Sequence, residues 1–384
     1  VERVRVSVLI PCYQQGAMLG EAVQSALAQD GGGCEVLIVN DGSTDGTREV
    51  AERLAIQHPG RVRVIHQDNR GLSGARQAGF EAAGGEYIVC LDADDLLEPG
   101  AVAACLRGFE GRPDADAVVG DALLVAEDGW TVLDEFHQSR PWDGDLNPAG
   151  DWPPQWPEQV LRSNPFGAGM AVMARASSIR RVGGLAVPGL KTCEDWDLWA
   201  RMIRCGMRFV PVHRFLGRYR QRRDSLGRDP RRLLRDKLEI LAQAADEDRR
   251  LMHPELSAAP AIGSRAHSRL ANEHVFYSLG MAAALEGRAV DVSPILGHLR
   301  PGMIDVAGAG EQFLWGWQYA QLPERRPRRL GAGLVRKAIL PRLERRLQEA
   351  DLTGHWPALE VELLRLAGGR CVWAGAIRSR LLGT

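Results

Sequence analysis

Residues 86 to 100 read EYIVCLDADDLLEPG, an apolar run that ends in Asp92, Asp94 and Asp95. Carboxylates repel when crowded, so such a cluster calls for a cation. A hard ion with oxygen preference, Mg²⁺ or Mn²⁺, suits it and leaves coordination positions open for substrate phosphates. The preceding Tyr87 to Leu91 is short, β-branched and aromatic, without polar alternation, which is the pattern of a strand buried on both faces. Side chains alternate along an extended chain, so Asp92 and Asp94 are expected to point the same way beyond the strand's carboxyl end, where open α/β sheets bind ligands. Asp-x-Asp is a cheap pattern in this chain and recurs at Asp114/Asp116, Asp143/Asp145, Asp195/Asp197 and Asp246/Asp248. Only the Asp92 copy directly follows a buried-strand pattern.

The elements around it alternate. Val6 to Ile10 predicts a strand stopped by Pro11, Leu19 to Gln29 a helix, Glu35 to Val39 a second buried strand, and Asn40 to Ser43 a turn. Asp45 is placed to cap a helix running through Val50 and Leu54. Arg61 to His66 reads as a third strand and Leu72 to Ala83 as a helix. Strands separated by helices imply parallel, right-handed βαβ units. Ala115 to Gly120, Ala122 to Ala126 and Met170 to Met173 read as further strands, and Glu194 to Cys205 as a helix. Phe136 to Phe166 holds Pro141, Trp142, Pro148, Trp152, Pro153, Pro154, Trp156, Pro157 and Pro165. This is either a long surface loop or an aromatic wall over a substrate, since sugars stack on indoles. From about Asp229 the pattern turns helical: Leu234, Leu238 and Leu241 share a face, and Val275 to Leu285 forms an apolar helix.

The 384 residues, 45% hydrophobic and 25% charged, suffice for two domains, and a net charge of −1 gives no reason to expect nucleic-acid binding. Seven cysteines without a C-x-x-C pair suit reduced thiols in a cytoplasmic compartment. No charged start leads into an apolar signal segment, and no apolar stretch is long enough to cross a bilayer; the expectation is a cytoplasmic, non-spanning protein. Arg325, Arg326, Arg328, Arg329, Arg336, Lys337, Arg342, Arg345 and Arg346 form a basic block around Pro327 and Pro341. It reads as a solvated linker and helix face, or as a peripheral contact with anionic lipid on the inner face of the membrane.

In order, VSVLIPCY, VLIVNDGSTDGT, QDNRGLSGARQAG, YIVCLDADD and KTCEDWDLWARM strongly resemble the family 2 glycosyltransferases, over roughly Val6 to Ser225. The resemblance implies a GT-A fold, α/β and Rossmann-like with a mostly parallel central sheet. Residues 1–228 would form the glycosyltransferase domain, with 1–100 binding the nucleotide sugar and 101–228 facing the acceptor. Residues 229–384, outside the resemblance, would add a C-terminal α-helical region, a candidate surface for docking an acceptor or partner.

It further implies an inverting transfer from a UDP-sugar to an acceptor hydroxyl, assisted by Mg²⁺ or Mn²⁺. Asp41 would accept from the uracil ring, although a turn aspartate can also serve its own backbone. Pro11 and Tyr13 would line the nucleotide pocket, and Arg76, among the glycines of its loop, would bind ribose or diphosphate. Asp94 would ligate the metal, with Asp92 bonding ribose or the metal's waters. Asp195, beside Glu194 at a helix start, would be the general base, though the helix dipole alone favours acids there. The chain departs from the family pattern at Gln14, Asn40 and Gln77, and at Arg222 within Tyr219 to Ser225, where a His is common. Arg does not ligate a metal but clamps diphosphate, so Arg220, Arg222 and Arg223 could offset reduced metal dependence.

Two other activities stay open. A nucleotidyltransferase would need a triphosphate loop after the first strand, which is not recognisable. A non-catalytic sugar- or nucleotide-binding module would have little use for Asp41, Asp92, Asp94 and Asp195 together. The acceptor (cell-surface polysaccharide or glycolipid intermediate, peptide, or small natural product), the sugar and the oligomeric state are not fixed by these residues.

Overall fold

The structure is a computed structural model that describes residues 5–29, 33–136, 160–164, 166–185, 189–245, 262–286, 289–300, 302, 304–321 and 331–368. The chain divides into two compact units: the described residues through Arg222, and those from Arg223 onward. The change falls six residues before the 228/229 boundary expected from sequence.

The first unit is built on one sheet. Strands β1 (Val6–Cys12), β2 (Cys34–Asp41), β3 (Val62–Gln67) and β4 (Tyr87–Cys90) lie in the order β3-β2-β1-β4, all parallel. They are joined through α1 (Gly16–Leu27), α2 (Thr47–Gln57) and α3 (Gly71–Ala82). β1 and β2 are buried along their whole length, which is why their sequences show no polar alternation.

Beyond β4 the sheet is mixed rather than mostly parallel. β4 pairs antiparallel with β8 (Val172–Arg175), and β8 antiparallel with β6 (Ala117–Val125). β6 pairs parallel with β9 (Phe209–Arg220) and antiparallel with β7 (Val132–Phe136), and β9 pairs antiparallel with β5 (Leu96–Leu97). The two strands expected between Ala115 and Ala126 are one, because Gly120 and Asp121 are absorbed as a register irregularity against β9. Helices α4 (Ala101–Gly111), α5 (Ala176–Arg181) and α6 (Glu194–Arg204) complete the described part of this unit.

Pro11 does not stop β1, which runs on to Cys12. The carbonyl of Leu9 accepts from Leu91 N–H on the β4 side, so Pro11, two residues on, also turns its nitrogen toward that side. There β4 has already ended at Cys90, and the missing donor breaks no ladder.

The second unit is helical among the described residues: α7 (Pro230–Ala245), α8 (Ser264–Glu286), α9 (Val306–Gln321), α10 (Leu340–Glu349) and α11 (Trp356–Gly368), with short helical turns between. α8 and α9 cross in backbone contact. A Cβ on Gly280 would lie 2.0 Å from the Phe313 carbonyl oxygen, and one on Gly316 would lie 1.9 Å from that of Tyr277. α10 buries Leu340, Leu343 and Leu347 and exposes Arg342 and Arg345. No described helix is long and apolar enough to cross a membrane. The Pro- and Trp-rich stretch expected over the site, and Arg325 to Arg329 of the basic block, lie largely outside the described residues.

Candidate active site

The site forms at the carboxyl ends of β1, β2 and β4. After β4 the chain does not stay extended: Asp95 N–H donates to the Asp92 carbonyl at 3.0 Å, closing a turn. The expected same-side alternation of Asp92 and Asp94 is therefore replaced by a turn that gives each aspartate its own partner. Asp92 Oδ1 accepts from Arg76 at 2.6 Å, Asp94 Oδ2 from Arg222 at 3.3 Å, and the buried Asp95 from Arg220 N–H at 2.8 Å. Asp95 thus ties the turn to the end of β9. Burial, reinforced by Asp92 and opposed by Arg222, pushes the Asp94 carboxyl up to about 6.

Arg76, expected at ribose or diphosphate, is buried in α3 and joins two carboxylates, Asp92 and Glu194. Its Nε has no hydrogen-bond partner. Through Arg76 the end of β4 is bonded to the first residue of α6, more than a hundred positions later in the chain. Burial raises Glu194 to about 7 against the opposing Arg76, and it raises Asp195 in the same way.

Asp195 is held on both oxygens. Oδ1 accepts from Trp196 N–H at 2.7 Å, and Oδ2 from the Asn164 amide at 3.2 Å. Asn164, absent from the sequence reading, is itself fixed by accepting from Phe166 N–H at 3.1 Å. The Trp196 indole donates to the Val160 carbonyl at 2.6 Å, holding the 160–164 segment against α6. A lone Asn near a proline-rich stretch carries no periodic or motif signal, which is why pattern reading passes over it.

At the end of β2, Asp41 is buried, and its Oδ1 accepts from Gln67 at 2.6 Å and from Arg70 N–H at 2.8 Å. The turn that follows is made by Asn40, whose side chain accepts from Ser43 N–H, and by Gly42 at φ +75°. Asp41 is thus spared the backbone duty a turn aspartate often takes. Pro11 lies near the end of β1, and Tyr13 just beyond is half exposed. Gln14, where the resemblance has Asn, is bonded to the next loop through Thr44 and Asp45. Asp45 accepts from Thr47 at the start of α2, although the cap position itself is Gly46.

Arg220, also expected at the nucleotide, turns its buried guanidinium to Glu21 at 2.7 Å. The Asp114/Asp116 copy of the acidic pattern is structural: Asp116 accepts from Ser178 and Arg208 N–H, and Asp114 pairs with Arg208. Asp197 of the Asp195/Asp197 copy is likewise buried, and it pairs with Arg201 at 2.8 Å.

The geometry is that of an α/β sheet with an acidic helix start set against an acidic strand end. Residues 7–151 match the family model described as Glycosyl transferase family 2, and the fold is similar to that of the GT-A glycosyltransferases. Over 104 residues, 27% of this chain and 11% of the relative, it is 45% identical to a chondroitin synthase of Pasteurella multocida (strain Pm70). Over 117 residues, 30% of this chain and 38% of the relative, it is 38% identical to the glycosyltransferase GlyG of Streptococcus pneumoniae. Each match therefore spans well under half of the relative's length.

Among solved structures, residues 1–349 of Staphylococcus aureus TarS in complex with UDP-GlcNAc superpose with a TM-score of 0.55 at 14% identity, covering 94% of this chain and 90% of that one. A Pyrobaculum calidifontis mannosyltransferase with GDP-Man and Mn²⁺ gives 0.50 at 18% identity, covering 95% and 86%. These likenesses establish the fold.

Proposed function

We propose that this chain transfers a sugar from a UDP-sugar to an acceptor hydroxyl, with inversion at the anomeric carbon. The observation that carries the reading is the Arg76 bridge, which brings Asp92 at the end of β4 to Glu194 and hence to Asp195 at the start of α6. Donor and base positions are thereby joined across a long stretch of sequence. The UDP-GlcNAc complex of TarS favours a UDP-linked donor for the same fold.

Asp41, with Oδ1 fixed by Gln67 and Arg70, has its second oxygen for the uracil N–H, and Tyr13 offers a ring face to the base. The acceptor O–H gives its proton to Asp195 as its oxygen attacks the anomeric carbon. The bond to the diphosphate breaks on the opposite side and UDP leaves. Asn164 aims the base, and Glu194 holds Arg76. A single displacement of this kind inverts the centre.

Mg²⁺ or Mn²⁺ bound at Asp94 and Asp92 would supply Lewis-acid stabilisation of the leaving group. The residues do not offer a prepared cage for it. Among the described residues no three His, Cys, Asp or Glu side chains gather to hold an ion, and Asp92 and Asp94 each carry a guanidinium.

A glycan hydroxyl is the acceptor best supported, given the similarity to a chondroitin synthase. The exposed Arg336, Lys337, Arg342 and Arg345 offer a surface for anionic lipid at the inner face of the membrane. Salt-sensitive co-sedimentation with anionic vesicles tests that contact, and equal binding to neutral vesicles would sink it.

The function is tested by screening nucleotide sugars, with and without Mn²⁺, for thermal stabilisation and slow hydrolysis. A UDP-sugar that stabilises the chain and is hydrolysed to UDP is expected. Pyrophosphate release from a nucleoside triphosphate would mark a nucleotidyltransferase instead. Tight UDP binding without turnover of any nucleotide sugar would mark a binding module.

A further inference from the structure

We infer that Arg222 holds the cation position of this site and neutralises the donor's diphosphate in place of a divalent metal. The inference rests on the UDP-sugar reading above and names how that donor is gripped. Arg222 follows the end of β9, which is pinned twice at Arg220, by its N–H to Asp95 and by its guanidinium to Glu21. The backbone that carries Arg222 is therefore fixed two residues away. Its side chain is 15% exposed and reaches Asp94 at 3.3 Å. That distance is longer than the roughly 2.7–2.9 Å of a strong charge-assisted bond, which makes Asp94 a partner a phosphate can replace.

The alternative is a metal at Asp94, and the neighbours of Asp94 disfavour it. A divalent ion there would sit beside a guanidinium that cannot ligate it and does not lose its charge. Asp92 is committed to Arg76 at 2.6 Å and Asp95 to the backbone of β9, so the turn offers the ion little beyond one carboxylate. Mg²⁺ could complete its six oxygens with waters and the diphosphate, so what weighs against it is the guanidinium already seated at that one carboxylate. A diphosphate asks only for donors, and the planar guanidinium supplies two parallel N–H groups to a phosphate. Charge weighs the other way. Asp92, Asp94, Glu194 and Asp195 outnumber Arg76 and Arg222, and a bound ion would redress this. The two modes consequently assign opposite parts to Asp94: a ligand in one, a competitor for Arg222 in the other.

Calorimetric titration of the full chain with UDP, in EDTA and in Mn²⁺, separates them. Wild type is expected to bind UDP in EDTA within about twofold of its affinity in Mn²⁺. Arg222→Ala should weaken binding by about tenfold or more, the cost of a lost charged hydrogen bond. Arg222→Lys, keeping the charge without the fork, should fall between. Asp94→Asn should bind UDP in EDTA as tightly as wild type or more tightly. UDP binding that requires Mn²⁺, is unchanged in Arg222→Ala and is abolished in Asp94→Asn overturns the inference while leaving the donor reading intact. Absence of UDP binding in both conditions overturns both. Should a variant fail to fold by thermal unfolding, the wild-type comparison with and without Mn²⁺ still decides.

Discussion

The two units bury polar groups for different ends. In the first, carboxylates near the strand ends are joined across long stretches of chain, Asp92 and Glu194 through Arg76 and Asp95 through the backbone of Arg220, beside one local buried pair, Asp197 with Arg201. In the second they are served close by. Glu273 takes Arg269 one helical turn away at 2.9 Å and Asp236 takes the adjacent Arg235, while the uncharged Asn272 reaches 28 residues on to exchange two hydrogen bonds with the backbone of Arg300. Local pairs settle a helix and need no distant partner. Long-range pairs between carboxylates and arginines fix the relative positions of elements far apart in sequence, and a site assembled from several elements needs that.

The largest effect should come from cutting the long-range bridge. Arg76→Gln leaves Glu194 buried and uncompensated and is expected to cost about 3–5 kcal/mol of stability in denaturant unfolding. Arg76→Lys should recover part of it. In whatever fraction folds, pH dependence carries the second signature. Asp195 must be ionised to accept a proton, and burial holds its carboxyl above the ordinary range while Arg76 pulls it down. Transfer in the wild type should therefore fall on acidification sooner than an ordinary carboxylate would allow, and loss of Arg76 should move this acid limb to higher pH. A limb unmoved in Arg76→Gln would separate Arg76 from the base.

The helical unit should break through shape instead. Gly316→Ala places a methyl against the Tyr277 carbonyl, and a loss of roughly 1–3 kcal/mol in thermal unfolding is expected, with UDP affinity unchanged in the folded protein. A fall in UDP affinity would erase the contrast drawn between the units. The smallest effect belongs to Asn164→Ala, which removes one hydrogen bond from Asp195, the proposed base. Stability should change by about 1 kcal/mol, while turnover falls and UDP affinity holds. Rescue of turnover by Asn164→Gln, or its failure, shows how tightly the aim of Asp195 matters.

Sequence made the first unit legible because buried parallel strands and their terminal aspartates write a continuous local signal. β1, β2, β4 and the acidic start of α6 stand close to where their patterns place them. What stayed hidden depends on contacts between distant residues. The turn that separates Asp92 from Asp94 is closed by a backbone bond and anchored to β9. The capture of Arg76 and Arg220 by carboxylates follows from which elements meet, and Asn164 has no pattern of its own. Antiparallel pairing of β8 with β4 and β6 was equally silent, since short apolar strands read alike in either direction. In the second unit the helices show in their periodicity, but the close crossing at Gly280 and Gly316 does not, because a helical glycine looks the same whether a partner backbone lies against it or not.

The central claim is that Asp195 takes the acceptor's proton at a site that binds the UDP-sugar without it. Its most direct test is Asp195→Asn, assayed for sugar transfer and, in parallel, for UDP binding. Transfer should fall by about 10²–10⁴-fold, the usual worth of a general base, with UDP affinity unchanged. Turnover equal to wild type would contradict the assignment of the base, and loss of UDP binding together with turnover would show that Asp195 serves the donor instead.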